Sequence, residues 1–245
     1  MKMRLDKLLV EKGHVDTRSK ALGMIMAGNV LIDGKPVTKA GTPVEESAEI
    51  LLKEPPAYVS RAGSKLVAAL DAFGVDPVGM TAIDVGSSTG GFTDVMLQRG
   101  AKKVFAVDVG HAQLHWRLKN NPCVISLEGV NARNLEPSII TQQCDIATFD
   151  VSFISLKLVV APVLKVLRPG SHIIALIKPQ FEAGRHEVSK GGIVRDIEVA
   201  NKIIADMENF FISLGLEVSG TIPSPVKGVK GNQEYLIHAL FRGNT

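Results

Sequence analysis

The segment Asp84-Val85-Gly86-Ser87-Ser88-Thr89-Gly90-Gly91-Phe92-Thr93 is a glycine-rich turn that follows an apolar run and opens a helical one. Several ligands use such a turn, and its details separate them. A Walker phosphate loop requires Lys followed by Ser or Thr after its last glycine, where this chain has Phe92-Thr93. A dinucleotide fingerprint spaces its glycines first, third and sixth, whereas Gly86, Gly90 and Gly91 fall first, fifth and sixth with Ser88 between them. An acidic residue ahead of the glycines repels a pyrophosphate and suits a ligand with a positive end. Asp84 is that residue, and S-adenosylmethionine offers a sulfonium, an amino-acid end and no phosphate. The cofactor-binding candidates are therefore Asp84, Gly86, Ser87, Ser88, Gly90, Gly91 and Phe92. Asp108-Val109 joins them, because a carboxylate ending the next apolar run can accept two hydrogen bonds from a ribose diol.

Asp150-Val151-Ser152-Phe153 and Lys178-Pro179-Gln180-Phe181-Glu182 each follow a further apolar run. Lys178 comes directly after Ile173-Ile174-Ala175-Leu176-Ile177, and desolvation favours the neutral form of an amine, which makes this lysine a candidate proton acceptor. Lys65 and Glu234 complete a possible cluster of two amines and two carboxylates. In such a cluster one amine takes a proton, the other steadies developing negative charge, and the carboxylates orient both. Asp150 is a candidate for cofactor contact as well. Other motifs carry less. His111 and His115 have metal-like spacing, but no Glu follows the first and no third ligand is evident, so no metal is expected. Cys123 after Pro122 resembles the nucleophile of a carbon methyltransferase, yet it precedes the wrong apolar run and reads as a buried or connecting cysteine. The segment from Gly184 to Arg195 is expected to form a substrate flap.

These residues need a scaffold that brings them to one edge. Strands are expected over 81–85, 104–109, 124–127, 145–150, 172–177, 216–221 and 235–241, with helices over 91–98, 112–119, 156–167 and 198–214 between them. Ahead of these, Ser60 is expected to cap a helix carrying Leu66, Val67, Leu70 and Phe73 and ended by Gly74. Alternation of this kind predicts an α/β domain, a Rossmann-like, mainly parallel seven-stranded sheet covered by helices on both faces. Ligands of such sheets bind at the carboxyl ends of the strands.

The first part of the chain follows a different pattern. Leu5, Leu8 and Leu9 have helical spacing; a second helix starts at Asp16 or Thr17, carries Ala21, Leu22 and Ile25, and stops at Gly28-Asn29. Val30-Leu31-Ile32, Asp33-Gly34 and Lys35-Pro36-Val37 then read as a hairpin on a tight turn. Glu54-Pro55-Pro56 can continue neither a strand nor a helix. The expected organisation is a small α+β domain over 1–54, a linker over 55–59 and the large domain over 60–245. Residues 1–39 hold eight Lys or Arg against four Asp or Glu, whereas residues 40–54 hold one against four, so the first domain carries a modest footprint for a phosphate backbone.

Composition narrows the class. Of 245 residues 45% are apolar and 22% charged, enough to bury a core. The longest apolar stretch, Leu158 to Leu164, falls far short of the roughly 18 residues of a membrane span. The N-terminal segment has no secretory pattern, and Cys123 and Cys144 are expected as free thiols of a cytoplasmic protein.

Two resemblances sharpen this reading. Arg4-Leu5-Asp6 with Leu8, Arg18-Ser19 with Ala21, Ile25, Gly28, Val30, Asp33-Gly34 and Lys39 resemble the S-four RNA-binding domain first described in a ribosomal protein. The resemblance implies RNA contact through Arg4, Lys7, Arg18, Lys20 and Lys35. Lys65, Asp150, Lys178 and Glu234 stand, in order and context, where ribose 2′-O-methyltransferases of the FtsJ type carry a catalytic tetrad. Together with Ser60-Arg61, Lys65-Leu66, the glycine turn, Lys190-Gly191-Gly192 and Gly231-Asn232-Gln233-Glu234, the chain resembles the TlyA or haemolysin A family over its whole length. That resemblance implies S-adenosylmethionine as cofactor and ribosomal RNA, or a ribosomal subunit, as partner, with the modification on the ribose of cytidine. Arg61, Arg185 and Lys190 join the residues expected to meet RNA, and no obligate protein partner is implied. Pro56 and Tyr58 stand where some members carry Arg and Trp, so linker control of cofactor affinity is not transferred; short termini favour the large subunit. Two rival readings remain open at this stage. One is a membrane-lytic haemolysin, for which no spanning or long cationic amphipathic segment is present. The other is a non-catalytic RNA-binding assembly factor, against which all four tetrad positions being occupied argues.

Overall fold

The structure is a computed structural model that describes residues 2–53, 57–184, 187–189, 191–228 and 230–243. Glu54 and, of the expected linker, Pro55 and Pro56 lie outside the described residues, as do Arg185 and Lys190. The chain divides into two compact units, Met1–Ala57 and Tyr58–Thr245.

In the first unit, β1 (Lys2–Arg4) leads into α1 (Leu5–Glu11), and α2 (Arg18–Met26) follows. Thr17 caps α2, its hydroxyl accepting from the Lys20 N–H, so Thr17 rather than Asp16 is the capping residue. β2 (Val30–Ile32) and β3 (Lys35–Pro36) form the expected hairpin, with Asp33 and Gly34 at φ 49° and 77°, the two positive angles a tight hairpin turn demands. The structure adds β4 (Pro43–Glu45), which pairs with β1, and β5 (Ile50–Leu52), which pairs with β2. Three residues are too few for alternation to mark a strand, and β4 and β5 lack the Asp-Gly turn that marked β2 and β3. Leu5, Leu8, Leu9, Ala21, Ile25 and Val30 close the core of this unit.

The second unit starts with α3 (Gly63–Phe73) and β6 (Thr81–Val85), followed by α4 (Gly91–Gln98), β7 (Lys103–Asp108), α5 (Trp116–Lys119) and β8 (Val124–Glu128). It continues with β9 (Cys144–Phe149), α6 (Val160–Leu164), β10 (Leu167–Ile177), α7 (Pro179–Glu182), α8 (Ile197–Ser213), β11 (Leu216–Pro223) and β12 (Tyr235–Phe241). The seven strands lie in the order β11-β12-β10-β9-β6-β7-β8. Five run parallel from β10 to β8, and β12 runs antiparallel to both of its neighbours. Side chains alternate between two cores. Ile83, Val85, Phe149, Ile173 and Ile177 pack on α6 and α8, whereas Ala82, Ile146, Ile174 and Leu176 pack on α3 and α4.

Three local expectations are corrected. The helix drawn over 112–119 begins only at Trp116, because Ala112 sits at φ 55°, outside the right-handed helical region, and His115 supplies the cap. The helix drawn over 156–167 is a short 3-10 turn at Leu156–Leu158 followed by α6. Pro162 has no N–H to donate back along a longer helix; in α6 it falls in the first turn, where none is needed. Ser60 does not cap α3: the capping position is Ala62, and the buried Ser60 hydroxyl has no hydrogen-bond partner among the described residues.

Candidate active site

The strand order of the second unit reverses between β6 and β9, the place where open α/β sheets bind ligands beyond their carboxyl ends. The loops after β6, β9 and β10 all emerge there. Val85 pairs with Phe149, and Ile177 pairs with Tyr235. The first pairing sets Gly86 beside Asp150. The second, made by the reversed β12, delivers Glu234 to the end of β10, next to Lys178. A cavity of about 570 Å³ opens at this edge and is lined by Lys65, Asp150, Lys178 and Glu234 together.

The four side chains form two ion pairs. Lys65 Nζ lies 2.6 Å from Glu234 Oε2, with both side chains buried. Lys178 Nζ lies 2.6 Å from Asp150 Oδ1 and donates a 2.8 Å hydrogen bond to Ser152 Oγ. Lys65 stands in the first turn of α3, so the helix that covers one face of the sheet also supplies one amine.

The glycine turn forms the opposite wall. Gly86 is at φ 82°, and a Cβ there would stand 2.9 Å from the Asp150 carbonyl oxygen, so only glycine allows the two loops to approach. Gly90, Gly91 and Phe92 begin α4, and of these Gly91 and Phe92 line the cavity with Ser87 and Ser88. Asp84 also lines the cavity, near the end of β6. It is fully buried, with one carboxylate oxygen accepting from Thr93 Oγ1 at 2.7 Å and the other from Thr148 Oγ1 at 3.1 Å. Burial pushes its carboxyl up to about 7, against those hydrogen bonds. Asp84 thus fastens β6 to α4 and β9 from a buried position in the lining of the large cavity.

A second cavity, of about 380 Å³, shares Gly86, Ser88, Asp150, Ser152 and Phe153 with the first. Its walls are largely apolar, with Val85, Val107, Val109, Val130 and Ile154, and Asp108 lies at its side. Asp108 accepts from the backbone N–H groups of Ser88 (2.8 Å) and Gly110 (2.7 Å), which orients its carboxylate while each oxygen keeps a lone pair. Ser60 Oγ and Gln180 Oε1, both in the wall of the larger cavity, are buried without hydrogen-bond partners among the described residues. A hydroxyl that can donate and a carbonyl that can accept, left unsatisfied beside a glycine turn, fit a ligand with an amino-acid end; the apolar annex with its carboxylate fits a nucleoside. The residues present thus suit S-adenosylmethionine.

Several residues that organise the site were not singled out from sequence. Thr148 precedes Asp150 by two, and strand alternation would have placed it on the Asp84 face. Glu182 ties α7 to the loop after β9, accepting from the Ser155 hydroxyl and, at 2.8 Å, from the Leu156 N–H. Asn232 accepts from the Val194 N–H at 2.9 Å and donates to the Gly192 carbonyl at 2.8 Å, so the described part of the expected flap is pinned. Phe153 projects into solvent with 90% of its surface exposed, at φ 64°, its ring 5.2 Å from that of Phe181.

The basic residues expected to meet RNA divide between the units. Arg61 lines the large cavity. In the first unit Lys7 and Lys35 are exposed, and Lys20 pairs with Asp16 at 3.0 Å. Arg4 and Arg18 both reach the buried Asp6, at 3.1 and 2.6 Å, and together hold its carboxyl well below the usual range. Each guanidinium remains more than half exposed, so N–H groups are left for a phosphate.

The sheet order, with its reversed last-paired strand, and the glycine turn at the switch point define the methyltransferase class of α/β fold. At 15% identity, a solved S-adenosylmethionine-dependent methyltransferase from Mesorhizobium loti shares that fold with a TM-score of 0.52, over 73% of this chain and 99% of its own. The family model for FtsJ-like methyltransferases matches residues 58–241, and the S4 domain model matches residues 3–50. The 16S/23S rRNA (cytidine-2′-O)-methyltransferase TlyA of Mycobacterium tuberculosis is 40% identical over 236 residues, covering 96% of this chain and 88% of that protein. A solved hemolysin-type protein of Streptococcus thermophilus is 42% identical with a TM-score of 0.77, over 99% of this chain and 90% of its own. This chain belongs to the FtsJ-like methyltransferase family, in the group that couples that domain to an S4 domain and includes TlyA and the hemolysin A proteins.

Proposed function

We propose that this protein is an S-adenosylmethionine-dependent methyltransferase that modifies the ribose 2′-hydroxyl of a cytidine in ribosomal RNA. The observation that carries the reading is the meeting of two Lys–carboxylate pairs, Lys65–Glu234 and Lys178–Asp150, around one open cavity beside the glycine turn. The substrate follows from the name of the M. tuberculosis relative and from the S4 domain.

Gly86, Ser87, Ser88, Asp108, Val109 and the apolar wall of the smaller cavity would hold the cofactor, with Ser60 and Gln180 available to its amino-acid end. When bound, S-adenosylmethionine supplies an electrophilic methyl group on a positively charged sulfur. The protein then has to align a ribose hydroxyl and remove its proton as the oxygen becomes bonded to carbon. Lys178 Nζ, in its neutral form, accepts that proton and becomes an ammonium ion beside Asp150. Lys65 steadies negative charge on the oxygen, and Glu234 holds Lys65 in place. Arg4, Lys7, Arg18, Lys20, Lys35 and Arg61 contact the RNA backbone and deliver the nucleotide.

The test is incubation of each purified ribosomal subunit, lacking the modification, with the protein and radiolabelled cofactor, followed by mapping of the labelled nucleotide. Label on a cytidine ribose is the expected result, with the large subunit the expected acceptor. Label on a base, or none on either subunit, overturns the reading. No helix among the described residues is long and apolar enough to cross a membrane.

A further inference from the structure

The two lysines of the site are held differently. Lys65 Nζ is fixed by Glu234 alone among the described residues, whereas Lys178 Nζ is fixed by two groups on one loop, the Asp150 carboxylate and the Ser152 hydroxyl. An amine nitrogen has three positions beyond its carbon. With one facing Asp150 and one facing Ser152, a single direction remains at an amine that lines the cavity. Aspartate alone would leave the amine free to swing about that contact.

The loop is built to keep Ser152 in place. The Asp150 N–H donates to the Val85 carbonyl at 3.0 Å, which anchors its start on β6. Glu182 grips its end through Ser155 and Leu156. Between these anchors Phe153 takes a left-handed conformation, φ 64°, that is strained for a non-glycine residue. Lys178 is the residue that caps the start of α7 and Glu182 is the last residue of α7, so the clamp on the loop also sets the distance between Ser152 and Lys178.

We propose that Ser152 is a positioning residue for Lys178: its hydroxyl closes off the second of three directions at Nζ, so that the last points at the substrate hydroxyl. The inference deepens the reading of Lys178 as proton acceptor and rests on it. Its chemical balance is that of the reaction: the ribose oxygen gains a bond to carbon, the carbon–sulfur bond breaks with its electron pair left on sulfur, and the hydroxyl proton passes to the neutral Lys178 amine. Ser152 gains and loses nothing; it acts only through the amine.

The test compares Ser152→Ala and Ser152→Thr with the parent protein. The first readout needs neither cofactor nor RNA: the slowly exchanging 15Nζ ammonium signal of Lys178, assigned by its loss in Lys178→Arg. It should broaden or vanish in Ser152→Ala and persist in Ser152→Thr, which keeps a hydroxyl at the same position. The second is a steady-state split. Ser152→Ala should lower kcat about ten- to a hundredfold, with KM for RNA and calorimetric affinity for S-adenosylmethionine each within twofold, and Ser152→Thr should recover most of the loss. An unchanged ammonium signal in Ser152→Ala, a threonine variant as impaired as the alanine one, or a loss confined to KM overturns the assignment. A parent protein with no methylation on either subunit would instead strike at the enzyme reading, and the ammonium signal would still report whether Ser152 holds the amine.

Discussion

Lys65 and Glu234 are 169 residues apart along the chain and 2.6 Å apart in space, both buried at the mouth of the sheet. Neither could sit there alone. A buried charge without its partner costs several kcal/mol, so the pair is an obligation of the fold as well as a part of the site.

Removing one member should therefore be costly. Glu234→Leu leaves the Lys65 ammonium unpaired and is expected to lower unfolding stability by about 3–5 kcal/mol. The double variant Lys65→Met/Glu234→Leu should recover most of that loss while remaining inactive. Urea denaturation of the three proteins measures both effects; equal stability of the single variant and the parent would show that the ion pair does not support the fold.

Lys178→Ala separates chemistry from binding. Turnover on ribosomal RNA should fall by about 10²–10⁴-fold, the range of a lost general base. Affinity for S-adenosylmethionine, read by calorimetry, should stay within about twofold, since the glycine turn and the apolar annex are untouched. Substantial residual turnover rejects Lys178 as the proton acceptor.

Asp84 should impose a pH dependence on stability. Its folded-state value of about 7 exceeds the ordinary carboxylate value of the unfolded chain. Between those two values the folded protein retains a proton that the unfolded chain has released. Stability from this group is thus greatest below pH ~4, declines as the pH climbs towards about 7, and is flat above. The decline is on the order of 4 kcal/mol. Asp84→Asn carries no charge and should flatten the slope, with denaturation midpoints at pH 5 and pH 8 drawing together. An undiminished slope in the variant assigns the effect elsewhere.

For the first unit, Lys7→Gln and Lys35→Gln should each weaken RNA binding without regard to sequence. Each should also reduce the slope of log affinity against log salt by about 1, as one phosphate contact is lost. Filter binding across a salt series gives both numbers. A variant with the parent's slope removes that lysine from the interface.

The secondary-structure pattern was legible where its period was long. The seven strands of the large sheet, the glycine turn after β6 and the Asp33-Gly34 hairpin all read directly, because burial on a sheet face repeats along the chain. Three-residue elements with no turn signal beside them, β4 and β5, were not, and neither were the breaks at Ala112 and before Pro162, where one backbone angle or one missing N–H outweighs apolar spacing.

The chain order by itself supplied the residue types: two lysines, two acids, and a glycine turn with no phosphate-binding lysine. Their pairing was decided in three dimensions. The antiparallel insertion of β12 beside β10 turns the start of one strand to face the end of another, and only that register brings Glu234 to Lys178 and, across the cavity, to Lys65. The same holds for Asp84 and Ser152. Whether a carboxylate meets solvent or two threonines, and whether a serine meets an amine, depends on which strands lie side by side, and a strand's neighbours are not written in its own period.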